Sequence, residues 1–416
     1  MRHGTVGILT TNHYDPDGQR MVYGGAERYG IELSKLLVEL GFKVKWWQIG
    51  SGWIREIIPG VPIVSVPVQE SPLQTFPQLN QIFYQQAMDC DYAIYFVTFL
   101  AYPQALPKSI SISHGVFWDY PDFDNLLPTE EARQEWRRRL WIALTGVERV
   151  VSVDTATINW ATATWPGLLH KFVYLPNFVD LGQFKERVQR PASGRLRVLF
   201  PRRLTSVRGV NEAVRAAEVL TRRYPDLEFH FVGRGHEERA EQELWQWAAS
   251  RDRVYYYWVP PHRMPHLYRN VDIVLIPSKS TEGTSLSCLE AMAAGTAVVA
   301  TWVGGLGNLI LDGFNGLLIE PTAKDLIRAI ERLRAHPALR RRLGANARKV
   351  ARHFGLAEWK RRWKSLLDEV LWDETGACLA ARPEPPDLGR RTAGHRWTGT
   401  VRLAAPPTDA PTGVRG

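Results

Sequence analysis

The sequence predicts an α/β protein made of two doubly wound parallel sheets that face each other across a cleft. Three observations carry this. Short apolar runs of strand length alternate with amphipathic helical stretches from residue 5 to about residue 370. The alternation restarts near residue 196, after a loop-like joint at 175–194. A chain of 416 residues also exceeds what one hydrophobic core ordinarily holds, so two domains of roughly 150–200 residues are expected.

The first cycle opens on "TVGILT" (5–10), an apolar run followed by a polar loop that reaches Gly24 and Gly25. In "AERYGIELSKLLVELG" (26–41), Tyr29, Leu33, Leu36, Leu37 and Leu40 recur at the spacing of one helix face. Gly41 stands where a helix stops, and "KVKWWQI" (43–49) resumes as a strand, with one of Trp46 and Trp47 expected in the core and the other at the surface. Strand, helix and strand in this order imply parallel pairing through a right-handed crossover. "DYAIYFV" (91–97), "SISIS" (109–113) and "RVVSV" (149–153) add further strands. The second cycle starts with "LRVLF" (196–200) and a helical stretch at 209–224. It continues through "LEFHFVG" (227–233), "VDIVLIP" (271–277), a helix after Glu282, "TAVVAT" (296–301) and "NGLLIE" (315–320). The domains are therefore drawn at 1–178 and 179–352, with a C-terminal helix at 353–372 expected to pack back on the N-terminal domain. Residues 373–416, rich in Pro, Gly, Thr and Arg without an apolar period, read as a disordered tail.

Apolar residues make up 45% of the chain, as in ordinary globular proteins. No apolar run approaches the ~20 residues that span a bilayer. The N-terminal "MRHGTVGILTTNHY" lacks the features of a signal peptide. Cys90, Cys288 and Cys378 are too scattered for a disulfide framework or a thiolate metal site. A cytoplasmic placement follows as the expectation. The net charge of +9, from 52 basic against 43 acidic residues, gathers in "WRRRL" (136–140), "LRRRL" (339–343) and "WKRRWKSLL" (359–367). Each cluster reads as a solvated helix face. The functional reading is peripheral attraction to an anionic membrane or to phosphorylated substrates. No nucleic-acid-binding motif accompanies the charge, so no nucleic-acid partner is expected.

The chemistry concentrates in "TEGTSLSCLEAMAAG" (281–295), where Glu282 and Glu290 stand eight positions apart around small polar residues. The stretch follows a strand and opens a helix, at the end of the sheet where open α/β folds bind ligands. Free amides at the helix start, with Thr284 and Ser285 permitting close approach, suit a phosphate. Glu282 would repel that phosphate and suits neutral sugar hydroxyls, while Glu290 suits the two hydroxyls of a ribose. In "FPRRLTSVRGVNEAV" (200–214), Arg203 and Arg208 flank a turn at the same end and can grip a diphosphate from two sides. Gly24 and Gly25 let backbone approach a phosphate or an acceptor from across the cleft. His114 ends the strand in "SISHGVFWDY" (111–120) and can hydrogen-bond a substrate hydroxyl or stabilise a reacting centre, or serve structure alone. Weaker signals are "DCD" (89–91), at the wrong end of a strand for a metal, and "GRG" (233–235), only a fragment of a dinucleotide fingerprint. "HEE" (236–238) lacks the second histidine of a zinc protease helix.

Together "GGAERYGIELSKLLVELGFKV", "YLPNFVD" (174–180), "FPRRLTSVRG" (200–209), "FVGRG" (231–235) and the stretch 277–319 resemble the family 4 retaining glycosyltransferases of GT-B fold. The resemblance spans roughly residues 5–370 and is most specific at the Glu-x7-Glu segment. It implies two Rossmann-like domains, the N-terminal one binding the acceptor and the C-terminal one a nucleotide sugar. It implies Glu282 on the donor sugar, Glu290 on the ribose, Arg203 and Arg208 on the diphosphate, and His114 near the reacting carbon. Gly25, Gly283, Thr284, Ser285 and Leu286 would line the donor site. His114 and Glu282 are the implied catalytic pair. No metal or other cofactor is expected, because the arginines supply the positive charge. The implied partners are a UDP- or GDP-sugar and a carbohydrate or lipid-linked acceptor. Three departures stand out: Arg208 replaces the family's lysine, Pro201–Arg202 replaces "VG", and Ser285 replaces the second glycine of "EGFG". Two other readings share the fold: a nucleotide-sugar epimerase or phosphorylase, and a catalytically silent binding scaffold.

Overall fold

The computed structural model describes residues 4–22, 24–69, 71, 74–116, 127–186, 194–235 and 238–371. The expected tail at 373–416, the end of "SISHGVFWDY" and most of "HEE" lie outside the described residues.

Two sheets are present. The first is built from β1 (Thr5–Leu9), β2 (Lys43–Ile49), β3 (Ile54–Ile58), β4 (Val61–Val66), β5 (Tyr92–Tyr95), β6 (Ser109–Ser113), β7 (Arg149–Ser152) and β8 (Phe172–Tyr174). Its strand order is β3-β4-β2-β1-β5-β6-β7-β8, parallel except for the antiparallel edge pair β3–β4. The second holds β9 (Leu196–Phe200), β10 (Leu227–Val232), β11 (Val254–Tyr257), β12 (Ile273–Ile276), β13 (Ala297–Thr301) and β14 (Leu317–Ile319), ordered β11-β10-β9-β12-β13-β14. Strand order reverses between β1 and β5 in the first sheet and between β9 and β12 in the second. Such reversals open a crevice at the carboxyl ends of the strands.

The helices of the first domain are α1 (Gly25–Glu39), α2 (Thr75–Gln86), α3 (Glu130–Gly146) and α4 (Thr155–Thr164). Those of the second are α5 (Val210–Arg223), α6 (Glu238–Ala249), α7 (Met264–Arg269), α8 (Leu286–Ala294), α9 (Leu306–Leu309), α10 (Ala323–Ala335) and α11 (Pro337–Ala351). α1 ends where the sequence indicates: Gly41, at φ +90°, takes the left-handed conformation after the last turn. The last helix, α12 (Leu356–Leu371), returns to the first domain. The chain recrosses beside its first crossing, with Val179 N donating to Phe354 O at 2.8 Å and Leu356 N donating to Val179 O at 3.1 Å. Trp359 and Trp363 then join the core around Tyr29, Leu33 and Ile112. Trp363 Nε1 donates to Tyr29 Oη at 2.8 Å.

Trp46 and Trp47 correct the expectation of one buried and one exposed ring, since both are buried. Strand β2 lies inside a parallel sheet covered on both faces, so alternation along it does not reach water. Trp46 packs with Tyr29 and Phe96, and Trp47 on the opposite face with Phe83. Asp91, at the amino end of β5, accepts from Thr5 N at 2.7 Å and thereby fixes the edge of β1. The arginine clusters lie on helix faces, and two of the three pair with neighbouring glutamates, Arg138 and Arg139 with Glu135, and Arg361 and Arg362 with Glu358. No helix among the described residues is long and apolar enough to cross a membrane.

Candidate donor site between the two domains

The loop after β12 is held from two sides. Gly305 N donates to Glu282 O at 2.7 Å, and Gly304, at φ +51°, crosses so close that a Cβ there would stand 2.0 Å from the same oxygen. On the other side the first domain presses in. A Cβ on Gly283 would meet Val153 Cγ2 at 2.6 Å and His114 O at 2.8 Å. Glycine at 283 therefore lets the backbone after Glu282 touch the loop that carries His114.

Glu282 is buried, and its Oε2 accepts from Arg202 Nη2 at 2.5 Å, from Ser278 Oγ at 2.6 Å and from Arg208 Nη1. Burial alone would raise this carboxyl, but the Arg202 and Arg208 guanidiniums overcome it and hold it down to about 2. Arg208 also donates to Thr281 O at 3.1 Å. Glu290, one turn into α8, is buried and accepts from Arg28 Nη1 of α1, in the opposite domain. Arg203 points the other way, lying 3.3 Å from where a Cβ on Gly24 would be. It sits beside Glu27, whose carboxyl is pushed up by burial and pulled back by Arg203.

The helix starts converge as well. Leu289 N closes the first bond of α8 on Ser285 O at 3.0 Å, so the amides ahead of it have no intrahelical partner. The start of α1 faces them, since a Cβ on Gly25 would lie 3.6 Å from Leu286 Cδ1. Two helix amino ends meet here, with Arg203 beside the start of α1 and Arg208 beside the loop that leads into α8, a field suited to a multiply charged anion.

His114 follows β6. Its ring stands edge-on to Tyr29 (centroids 5.2 Å apart) and tilted on Phe96 (4.7 Å). Burial lowers its pKa to about 4, against a hydrogen bond to the Phe96 backbone that raises it. The imidazole is therefore neutral at pH 7. Its Nε2 is buried without a hydrogen-bond partner among the described residues.

The structure thus brings together Glu282, Glu290, Arg203, Arg208, Gly25, Gly283, Leu286 and His114 at the domain junction. Thr284 and Ser285 have side chains engaged by protein. Thr284 Oγ1 donates to Val153 O at 2.8 Å and accepts from Asn177 N at 2.8 Å, tying the domains together. Ser285 Oγ accepts from Arg202 Nη1 at 3.1 Å. Their backbone, not their hydroxyls, is what a ligand can meet. Sequence reasoning passed over Arg28, Glu27, Asn177 and the depth at which Arg202 sits. Arg28 carried one usable signal, its place in the first turn after the paired glycines.

Residues 183–350 match the family described as glycosyl transferases group 1. A D-inositol 3-phosphate glycosyltransferase of Arthrobacter sp. is 36% identical over 177 residues, 41% of this chain and 41% of that protein. For that relative the match thus spans less than two thirds of its length. The protein of the same name from Pseudarthrobacter chlorophenolicus is 35% identical over 383 residues, 81% of this chain and 88% of its own. The structure of Anabaena HepE in complex with UDP-glucose has the same fold, with a TM-score of 0.67 at 17% identity, over 88% of this chain and all (100%) of that one. Two doubly wound domains meeting over a cleft of this kind are the GT-B architecture. The chain belongs to the family glycosyl transferases group 1.

Proposed function

We propose that the protein is a metal-independent, retaining hexosyltransferase that moves a sugar from a nucleoside diphosphate to an acceptor hydroxyl. The observation that carries this is the convergence of Arg203, Arg208 and two helix starts between two buried carboxylates, Glu282 and Glu290. A UDP-sugar is the first donor to test, with a GDP-sugar second, because a neighbour of the same fold binds UDP-glucose. The names of the relatives favour a hydroxyl of a phosphorylated or lipid-linked carbohydrate as acceptor.

A nucleoside diphosphate leaves readily once its growing negative charge is stabilised. Arg203, Arg208 and the amides of α8 and α1 supply that stabilisation, in the role a divalent cation has in other enzymes. Glu282 accepts hydrogen bonds from the sugar hydroxyls, and Glu290 takes the ribose. Neutral His114 presents Nε2 to a sugar hydroxyl beside the reacting carbon. With no protein nucleophile assigned, attack and departure on the same face of the sugar account for retention. The basic helix faces would hold the protein peripherally at an anionic, cytoplasmic membrane surface.

Calorimetric titration with UDP, GDP and ADP in the presence of EDTA tests the reading. Selective binding by one nucleotide, weakened in Glu290→Ala and Arg203→Ala, supports it. Absence of binding by all three overturns it. Product analysis then separates transfer, which consumes an acceptor, from epimerisation, which does not.

A further inference from the structure

Arg202 sits immediately before the diphosphate-facing Arg203, yet its side chain is turned inward and is only 6% exposed, against 17% for Arg208. Its two terminal nitrogens have separate tasks. Nη2 lies 2.5 Å from Glu282 Oε2, and Nη1 lies 3.1 Å from Ser285 Oγ at the start of α8. Arg202 and Ser285 are two of the positions at which the sequence departs from the pattern it resembles, and they contact each other. The same Glu282 oxygen also accepts from Arg208. Two guanidiniums thus share one carboxylate, leaving one positive charge in excess. One counter-charge is enough for a buried carboxylate, so one arginine is surplus until an anion arrives. The surplus one is Arg208. It is the more exposed, it ends a single 3₁₀ turn (Ser206–Arg208), and its second bond goes to the Thr281 carbonyl.

We propose that Arg202 is a positioning residue, the permanent counter-ion of Glu282, which frees Arg208 to leave that carboxylate for the diphosphate of the donor. The inference rests on the nucleotide-sugar reading above. Its consequence is a charge balance that can be broken and restored. Without the Arg202 charge, Glu282 keeps Arg208 as its sole partner, and the diphosphate loses a ligand. Removing the charge of Glu282 as well releases Arg208 again.

The experiment measures affinity for the best-binding nucleoside diphosphate of UDP, GDP and ADP, with turnover of the matching nucleotide sugars. Arg202→Met is expected to weaken diphosphate binding about tenfold, the scale of one lost charge-assisted contact. Arg202→Met with Glu282→Gln is expected to restore it to within about twofold, while turnover stays low because the sugar-reading carboxylate is gone. Arg208→Met with Glu282→Gln is expected to show no recovery. If Arg202→Met binds as the wild type does, or if Glu282→Gln fails to rescue it, the inference is wrong. Should Arg202→Met lack a cooperative melting transition, Arg202→Lys with and without Glu282→Gln decides the matter. The ammonium lacks the fork that reaches Glu282 and Ser285 together and holds the carboxylate less firmly, so binding falls at least about threefold and recovers in the double variant. No loss, or no recovery, overturns the inference. Failure of the wild type to bind any of the three nucleotides would instead sink the functional reading beneath it.

Discussion

Arg28 in the first turn of α1 donates to Glu290 in α8, joining the two domains through residues 262 positions apart. The carboxylate assigned to the ribose is therefore held from the opposite side of the cleft. Glu290→Gln is expected to lower nucleoside-diphosphate affinity about tenfold, consistent with hydrogen bonds to a charged group. Inorganic pyrophosphate, which lacks the ribose, is expected to bind the variant as it binds the wild type. Equal losses for both ligands in a calorimetric titration would show that Glu290 acts on the phosphates or on folding instead.

His114 offers a second test. Its buried Nε2 has no hydrogen-bond partner among the described residues, so His114→Asn should cost little in donor affinity. A fall in kcat of about 100-fold is expected if the ring stabilises the reacting centre, in line with the loss of one well-placed polar group. Unchanged kcat would reduce this histidine to a strand-end packing residue.

The same ring sets a pH dependence of stability. Burial lowers both His13 and His114 to about 4 from an ordinary 6.5. Below pH 6.5 the unfolded chain therefore binds protons that the folded protein refuses. Stability is expected to fall as pH drops from about 6.5 to about 4, by roughly 1.4 kcal/mol per pH unit for each histidine at most. Glu282 acts lower down: its folded value of about 2 makes its contribution present above its ordinary 4.5 and lost as pH falls through 2. Urea midpoints measured across this range for the wild type and for His13→Phe should show a shallower slope in the variant. Parallel slopes would remove His13 from the account.

Thr284 bridges the domains with its hydroxyl, donating to Val153 O and accepting from Asn177 N. Thr284→Val keeps the shape and strands two buried polar partners, so a loss of about 1–3 kcal/mol in unfolding free energy is expected. Denaturation that leaves stability unchanged would mean water replaces the hydroxyl.

Strands β6 and β9 stand where the sequence indicates, β6 as a strict serine–isoleucine alternation and β9 as a largely apolar run, each in a sheet interior. The hairpin of β3 and β4 escaped notice. Arg55, Glu56 and Pro62 interrupt its apolar pattern, as an exposed edge pair allows. At the site, Glu282, Glu290, Arg203 and Arg208 were legible from local spacing around strand ends. Their partners were not. The pairing of Arg202 with Glu282 crosses 80 positions and depends on which way a side chain turns after β9. Thr284 shows the same limit, for nothing in its neighbourhood says that its hydroxyl reaches Val153 and not a ligand.

The return of α12 to the first domain reaches into how the molecule comes into being. Trp359 and Trp363 complete the aromatic core around Tyr29, so a domain begun early on the ribosome stays unfinished until a segment 334 positions beyond that tyrosine emerges. A fragment ending at residue 178 would present Tyr29, Leu33 and Phe178 to water, whereas residues 179–355 contain their sheet whole. Birth order and completion order run in opposite directions along this chain.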